Sequence, residues 1–343
     1  MIGVLMDERK FLILKAIIDD YIMTAVPVGS RTISRKAGVG FSPATIRNEM
    51  SDLEELGYLG QPHTSAGRIP SYKAYRLYVD RLLSVSRLDD EDAKRIMSYL
   101  DVKTSQVKEV ITRAAQLLSD MTSYTSVISA PHLETLRIKR VQLVPVTEQT
   151  AVMIVVTNAG IIKDAVVTIP ADMSEESLYD LSRMLTQQLA DVGMKQLRSR
   201  FAEMFRDLSE NRRLMANILR VMERRVEEQA TQEVVVGGTA NMLSFPEYSD
   251  VEKARTFLSV IESKEKLYPL LRHPGGVEFT IHIGPENDIP EFADCSLVTA
   301  SYRVGDNSVG TMGIIGPTRM NYAKVVSVIP FMGKAITDML SEK

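Results

Sequence analysis

The amino-acid sequence predicts a multidomain α+β protein. Its 343 residues are enough for two or three globular domains. Near the N-terminus the apolar residues repeat with helical spacing, whereas the second half alternates between strand-like apolar runs and amphipathic helices. A polar stretch at residues 84–92 separates the two patterns and is the first candidate linker. We therefore expect a small, mainly helical N-terminal domain followed by a larger α+β part.

The first 57 residues contain three predicted helices with short connectors. Residues 7–24 carry apolar side chains at helical spacing. Ser30 is placed to cap a second, short helix at 31–37. The third helix, 43–56, starts with the strongest signal, because Ser42 stands at the N-cap position and a proline follows at the first helical position.

The third helix has two chemically different faces. Ile46, Met50 and Leu53 share the face that must point into a core. Arg47 and Asn48 lie on the opposite face, where their forked donors and acceptors match the edges of guanine and adenine in the major groove. The acids of this helix follow toward its C-terminal end, so only the first two turns suit a negatively charged groove. This arrangement is typical of a recognition helix.

Residues 58–70 are rich in turn formers at the centre and apolar at both ends, which predicts a hairpin with a polar tip. Three helices followed by such a hairpin are typical of a winged helix-turn-helix domain, and basic residues without acids flank both contact elements. The candidate DNA-binding residues are Arg31, Lys36, Ser42, Pro43, Ala44, Thr45, Arg47, Asn48, Ser51, His63, Thr64, Ser65 and Arg68.

The second half is predicted as one sheet domain interrupted by an insertion. Strand-like runs occur at residues 141–146, 151–157, 161–169, 234–236, 277–283, 296–302 and 308–315. Helical patterns occupy residues 92–121, 174–190, 195–230, 250–262, 264–272 and 321–340. Pro330 falls inside the last of these, where a kink or a break is expected.

Composition excludes several function classes. The net charge of -3 requires any affinity for nucleic acid to come from a local patch. The single cysteine and four scattered histidines show no metal-ligand spacing, and no nucleophile–base or paired-carboxylate pattern stands out. We therefore expect no enzyme activity, no metal and no cofactor. Since we find neither a secretory signal nor an apolar run long enough to span a membrane, we expect a cytoplasmic protein.

Five segments resemble one known family. They are Pro27–Arg31, Ser42–Met50, Asp52–Gly57, Ser65–Pro70 and Gly313–Tyr322. In these motifs the sequence is similar to the heat-inducible transcription repressors (HrcA family) of bacteria, and the similarity spans the whole chain.

The resemblance implies three domains: a winged-helix DNA-binding domain at 1–84, a discontinuous GAF-like domain at 92–190 and 271–343, and an inserted dimerising domain at 191–270. It implies a homodimer that binds an inverted-repeat operator in double-stranded DNA before chaperone operons and represses them. It also implies that a GroEL-type chaperonin keeps the repressor active.

A second function remains open at this stage. A winged-helix regulator could instead sense a metabolite bound in its GAF-like domain. That hypothesis requires a roomy polar pocket in the sheet domain, whereas the predicted strands are largely apolar on both sides. Sequence therefore favours the repressor without a small-molecule ligand.

Overall fold

The protein was analysed as a computed structural model, which describes residues 6–62, 67–83, 87–100, 107–131, 136–158, 162–193, 196–207, 214, 216–221, 234–271, 278–304 and 308–341. In chain order the elements are α1 (Glu8–Thr24), α2 (Ser30–Ser34), α3 (Pro43–Glu55), β1 (Leu59–Gly60), β2 (Ile69–Pro70), α4 (Tyr72–Leu77) with a π-helical continuation (Tyr78–Leu82), α5 (Asp90–Leu100), α6 (Val107–Thr122), β3 (Thr125–Ser129), β4 (Ile138–Thr147), β5 (Thr150–Thr157), β6 (Ile162–Thr168), α7 (Glu175–Leu189), α8 (Leu197–Asp207), β7 (Val234–Gly237), α9 (Val251–Glu262), α10 (Lys264–Leu270), β8 (Phe279–Ile283), β9 (Cys295–Val304), β10 (Ser308–Pro317) and α11 (Tyr322–Ser341).

The N-terminal unit contains the three predicted helices and the predicted hairpin, formed by β1 and β2. One detail of the prediction is wrong: the N-cap of α2 is Gly29, not Ser30, and the helix ends at Ser34. The reason is an antiparallel bridge between Val28 and Arg68, whose two backbone hydrogen bonds hold the chain extended up to the start of α2. This bridge ties the base of the hairpin to the entrance of α2.

The larger sheet is antiparallel, with the strand order β7-β3-β10-β9-β8. Side chains alternate between its two faces along β9. Val298 and Tyr302 join a core that also contains buried residues of α6 and α11, whereas Leu297 joins a second core with Phe257 of α9 and Leu267 of α10. Helices thus cover both faces, and the sheet is buried as a central layer.

The smaller sheet has the strand order β4-β5-β6 and consists of two consecutive hairpins. Helix α7 lies along the outer edge of β4, where the hydroxyl of Ser182 accepts a hydrogen bond from the Leu143 amide. Thr186 both accepts from the Val141 amide and donates to the Val141 carbonyl. These side chains satisfy backbone groups that an edge strand otherwise leaves open.

The two sheets correct the expected boundaries of the insertion. The segment 191–270 was expected to interrupt the sheet domain, yet β7 at Val234–Gly237 pairs with β3 inside the larger sheet. The strands β4 to β6 lie instead between β3 and β7 in sequence and form their own sheet. The part of the chain inserted into the larger sheet therefore includes 138–168 and ends before 234. Strand periodicity shows that a strand exists but not which sheet it joins.

Two predicted helices also differ in detail. The pattern at 92–121 corresponds to two helices, α5 and α6. Helix α11 runs unbroken through Pro330, so the expected break is absent, although the proline removes one backbone donor there. Among the described residues, no helix is both long and apolar enough to cross a membrane.

The N-terminal unit docks on the larger sheet mainly through α4. The Arg76 guanidinium donates to the carbonyl of Ile281 at 3.0 Å and to the carboxylate of Glu286 at 3.2 Å. The Tyr72 ring lies directly against the backbone of Gly284, where an added Cβ would come within 2.5 Å of its ring carbons. Gly284 has a φ of +56°, which also favours glycine.

Two further contacts support this docking. The buried Arg319 guanidinium makes a bidentate ion pair with Glu247 and donates to the carbonyl of Ile22 at the end of α1. The Tyr72 hydroxyl donates to Asp294 at 3.2 Å, and Lys253 approaches the same carboxylate at 2.7 Å. The hydrogen bond from Lys253 holds the pKa of Asp294 below its usual value.

Candidate nucleic-acid interface

Helix α3 begins as the sequence predicts. The Ser42 hydroxyl accepts a hydrogen bond from the Thr45 amide at 3.1 Å, and Pro43 occupies the first turn. Ile46 and Leu53 are fully buried and Met50 nearly so. One side of α3 is therefore fixed in the core of the N-terminal unit, and the orientation of the opposite side follows from it.

The opposite side of α3 is open to solvent. Ala44, Arg47, Asn48 and Ser51 are all exposed. Neither Arg47 nor Asn48 makes a side-chain hydrogen bond or ion pair within the described part of the chain. Their donors and acceptors are available to a partner, because no later element that the structure describes covers them.

A concave cleft of about 560 Å³ adjoins this face. Its walls come from the loop before α2, the first half of α3 and the base of the hairpin. Of the predicted residues, the structure gathers Arg31, Pro43, Ala44, Arg47, Asn48 and Arg68 around it. No Asp or Glu side chain lines the cleft among the described residues, so its arginines suit a polyanion.

The ammonium group of Lys10 connects α1 to α3. It lies 2.9 Å from the Glu49 carboxylate and 3.0 Å from Asp52, and the Lys10 side chain is only 8% exposed. Arg9 also contacts Glu49, at 3.4 Å. Hydrogen bonding to Glu49, and then to Asp52, raises the pKa of Lys10. We call these four residues the α1–α3 clamp.

The clamp is not predicted from the sequence. In the sequence Glu49 belongs with the acids toward the C-terminal end of α3, whereas its side chain is buried in the structure. The signal available in the sequence was weak: Glu49 follows Ile46 by three positions, which places it near the buried face of the helix.

Two predicted contact residues already have partners inside the protein. The Arg68 guanidinium pairs with Glu54 of α3 at 2.8 Å, and its Nε is buried without an acceptor among the described residues. Lys36 pairs with Asp20 of α1 at 2.6 Å. Both ion pairs remain partly exposed, so a phosphate could compete for these cations.

The remaining predicted residues divide into two groups. Arg31 is exposed on α2, Ser42 caps α3, and Thr45 and Ser51 lie on α3. His63, Thr64 and Ser65, the predicted hairpin tip, lie outside the described residues. No cluster of metal-binding side chains occurs in the part of the chain that the structure describes.

Residues 108–326 match the family model described as the HrcA protein C terminal domain. The chain is also 43% identical over 336 residues to the heat-inducible transcription repressor HrcA of Ruminiclostridium cellulolyticum, covering 97% of each chain. The chain belongs to the HrcA family of heat-inducible transcription repressors. The family is one of regulators.

One further relative agrees with this membership, and one solved structure shares the fold. The HrcA repressor of Symbiobacterium thermophilum is 42% identical over 339 residues, which is 98% of this chain and 99% of that protein. A crystal structure of a hypothetical protein at 2.2 Å resolution superposes with a TM-score of 0.66 at 23% identity, covering 98% of this chain and 99% of the other. That likeness shows a shared fold over the whole HrcA-family chain.

Proposed function

We propose that this HrcA-family chain represses transcription by binding specific double-stranded DNA through a winged helix formed by its N-terminal unit. The observation that carries the proposal is the outward face of α3. Arg47 and Asn48 are exposed there and have no partner among the described residues, while the buried face and the α1–α3 clamp fix the helix beneath them. Fixed side chains with forked hydrogen-bonding groups can discriminate between base edges.

The first turns of α3 would enter the major groove, with Arg31 and the hairpin facing the flanking phosphates. Backbone contacts of this kind set the register on DNA, whereas Arg47 and Asn48 would read sequence. The cleft beside α3, lined by Arg31, Arg47 and Arg68, would face the DNA backbone.

We further propose that the protein acts as a homodimer on an inverted repeat. A two-fold dimer presents two recognition helices to two half-sites separated by whole helical turns. The outer face of the smaller sheet offers a surface for this contact, since Val144, Val152 and Val166 form one cross-strand row. Val144 is 38% exposed and Val166 is 65% exposed, which is unusual for neighbouring valines.

A charge placed in this row tests the dimer. Val166→Asp should shift the full-length chain from dimer to monomer in light scattering, because the carboxylate would have to be desolvated in the interface. The matched control Val251→Asp changes an exposed valine at the start of α9. This variant should remain a dimer, with the same molar mass in light scattering as the unaltered chain. A dimer that persists in Val166→Asp excludes this face.

The family resemblance supports the last part of the proposal. The operator would precede chaperone operons, and a GroEL-type chaperonin would keep the repressor in its DNA-binding state. Heat-damaged proteins would occupy the chaperonin, and repression would then fall.

Fluorescence anisotropy with a labelled inverted repeat tests the proposed function. We expect saturable binding that exceeds binding to a scrambled duplex of the same composition at the same salt concentration. Chaperonin and ATP should increase the fraction of active protein. Equal affinity for both duplexes, with and without chaperonin, would refute sequence-specific binding.

A further inference from the structure

A second cleft lies where the N-terminal unit meets the larger sheet. It has a volume of about 650 Å³, which is within the range of roughly 300–1,000 Å³ typical of small-molecule sites. Its walls come from α1, from α4 with its π-helical continuation, and from residues 283–286 after β8. We call it the joint cleft. It is separate from the cleft beside α3.

Three aromatic side chains contribute to the lining of the joint cleft. Phe11 comes from α1, Tyr58 precedes the hairpin, and Tyr72 lies at the start of α4. Tyr72 is 42% exposed, although its ring is fixed against Gly284 and its hydroxyl is held by Asp294. These rings offer flat apolar surfaces to a planar molecule.

The joint cleft is lined by more cationic side chains than carboxylates. Both lining carboxylates, Asp80 and Glu286, bind the same Arg76 guanidinium. Arg81 and Lys73 also line the cleft and have no carboxylate partner among the described residues. Lys73 donates only to the carbonyl of Leu56 and lies 4.4 Å from the centre of the Tyr58 ring. Two cations therefore remain for an anionic group.

The backbone at Arg81 is unusual. Residues 78–82 continue α4 as a π-helix, closed by a hydrogen bond from the Leu83 amide to the Tyr78 carbonyl at 2.8 Å. Such π-helical turns are rare and occur frequently at functional sites. The wider turn alters the direction of the side chains that it carries, Arg81 among them.

We infer that the joint cleft binds a small planar organic anion, with its ring between the aromatic walls and its acidic group at Lys73 and Arg81. Such a ligand would contact both the N-terminal unit and the loop after β8, so it would fix their relative orientation. It would also contact Lys73, whose ammonium group caps the C-terminal end of α3 at Leu56. Occupancy is thereby linked to the helix that we propose reads DNA.

Calorimetric titration of the DNA-free full-length chain with 2-naphthoate tests the site. We expect one site per chain and no measurable binding of the neutral 2-naphthamide. Arg81→Gln should weaken naphthoate binding about tenfold or more, as expected for loss of a charge-assisted hydrogen bond. Arg255→Gln removes an exposed arginine of α9, and this control variant should bind naphthoate with the affinity of the unaltered chain.

Arg81 is the primary test because its side chain is exposed and makes no hydrogen bond or ion pair with another described residue. Lys73→Gln is the second variant, with circular dichroism checking that α3 remains folded. Absence of naphthoate binding, equal binding of the amide, or affinity unchanged by both substitutions would each overturn the inference.

The linkage to DNA rests on the proposed function and is measured separately. Naphthoate should change the affinity of the unaltered chain for the inverted repeat and leave that of Arg81→Gln unchanged. Because the calorimetry uses no DNA, binding of naphthoate without operator binding would refute only the proposed function. Operator binding that naphthoate never alters, despite a filled site, would refute only the linkage.

Discussion

Replacing Lys10 by methionine removes the central charge of the α1–α3 clamp while keeping a long unbranched side chain. The substitution leaves the Glu49 carboxylate, only 11% exposed, with Arg9 at 3.4 Å as its remaining cation. Asp52 loses its partner too, although it is 47% exposed and can be solvated. The loss therefore falls mainly on one poorly hydrated carboxylate in α3.

The expected loss of stability lies between the values for an exposed and a buried ion pair. An exposed ion pair contributes about 0.2–1 kcal/mol, and breaking a buried pair costs about 3–5 kcal/mol. The clamp is intermediate, because Lys10 and Glu49 are shielded from solvent whereas Asp52 and Arg9 are half exposed. We expect Lys10→Met to lower the stability of the N-terminal unit by about 2 kcal/mol.

Hydrogen exchange of peptides from α1 and α3 is the suitable assay, because a chain with several units has no single unfolding free energy. The matched control is Lys15→Met on the same helix. Lys15 is 36% exposed and pairs with Asp19 four residues on, so its loss should cost only about 0.3–0.5 kcal/mol. Equal protection of α3 in the two variants would refute the clamp.

The pH dependence of the clamp has a defined sign. The pKa of Lys10 is raised above its ordinary value of 10.5, with Glu49 as the largest cause. From neutral pH up to 10.5 the charged Lys10 therefore contributes fully, and its contribution is lost as the pH rises through the higher folded-state pKa. Above neutral pH, protection of α3 should stay constant at first and then fall in strong base.

Three further predictions concern the hairpin and the docking of the two units. Glu54→Gln frees Arg68 from its ion pair, so binding to any DNA should tighten and the slope of log affinity against log salt should steepen by about one. Arg68→Ala should do the reverse, and unchanged slopes in both would contradict a phosphate contact. Gly284→Ala places a Cβ 2.5 Å from the Tyr72 ring at positive φ, and should lower the local opening free energy of α4 by about 1–3 kcal/mol in hydrogen exchange. Gly60→Ala, whose nearest neighbour is 3.9 Å away, should have a smaller effect; equal losses would contradict the close approach. A neighbouring lysine ammonium lowers the pKa of Asp294 below its ordinary value of 3.8. The ionised carboxylate should therefore stabilise the docked state at pH values above 3.8, and this stabilisation should be lost as the pH falls through the lowered pKa. Asp294→Asn should remove this loss of stability in acid. An unchanged dependence of stability on pH would contradict the role of Asp294.

Local signals made much of the N-terminal unit predictable. Ser42 and Pro43 mark the start of α3 within two residues, and the apolar spacing of Ile46, Met50 and Leu53 fixes its buried face. These features act over one or two helical turns, so a single sequence contains them in full. The exposure of Arg47 then follows from helical geometry alone.

The organisation of the sheets depends on pairing between distant segments, so it could not be predicted from the sequence. Strand β3, at Thr125–Ser129, was missed because it is short and has no apolar–polar alternation: three of its five residues carry hydroxyl groups, yet all five are buried. Its partners β7 and β10 lie more than a hundred residues further along the chain. The misplaced insertion boundaries have the same origin, because local periodicity does not encode sheet membership. The ion pair of Glu49 was missed for the same reason, because its partner Lys10 lies on another helix, α1.

The most direct test of the central claim is the ratio of affinities for the inverted repeat and for random duplex DNA, measured for Arg47→Ala and Asn48→Ala. Both side chains are exposed and unpaired in the described structure, so folding should be unaffected within about 0.5 kcal/mol. We expect each substitution to lower operator affinity by about 1–3 kcal/mol and random-duplex affinity by much less, so that the ratio falls. A ratio that stays unchanged in both variants would contradict base reading by α3.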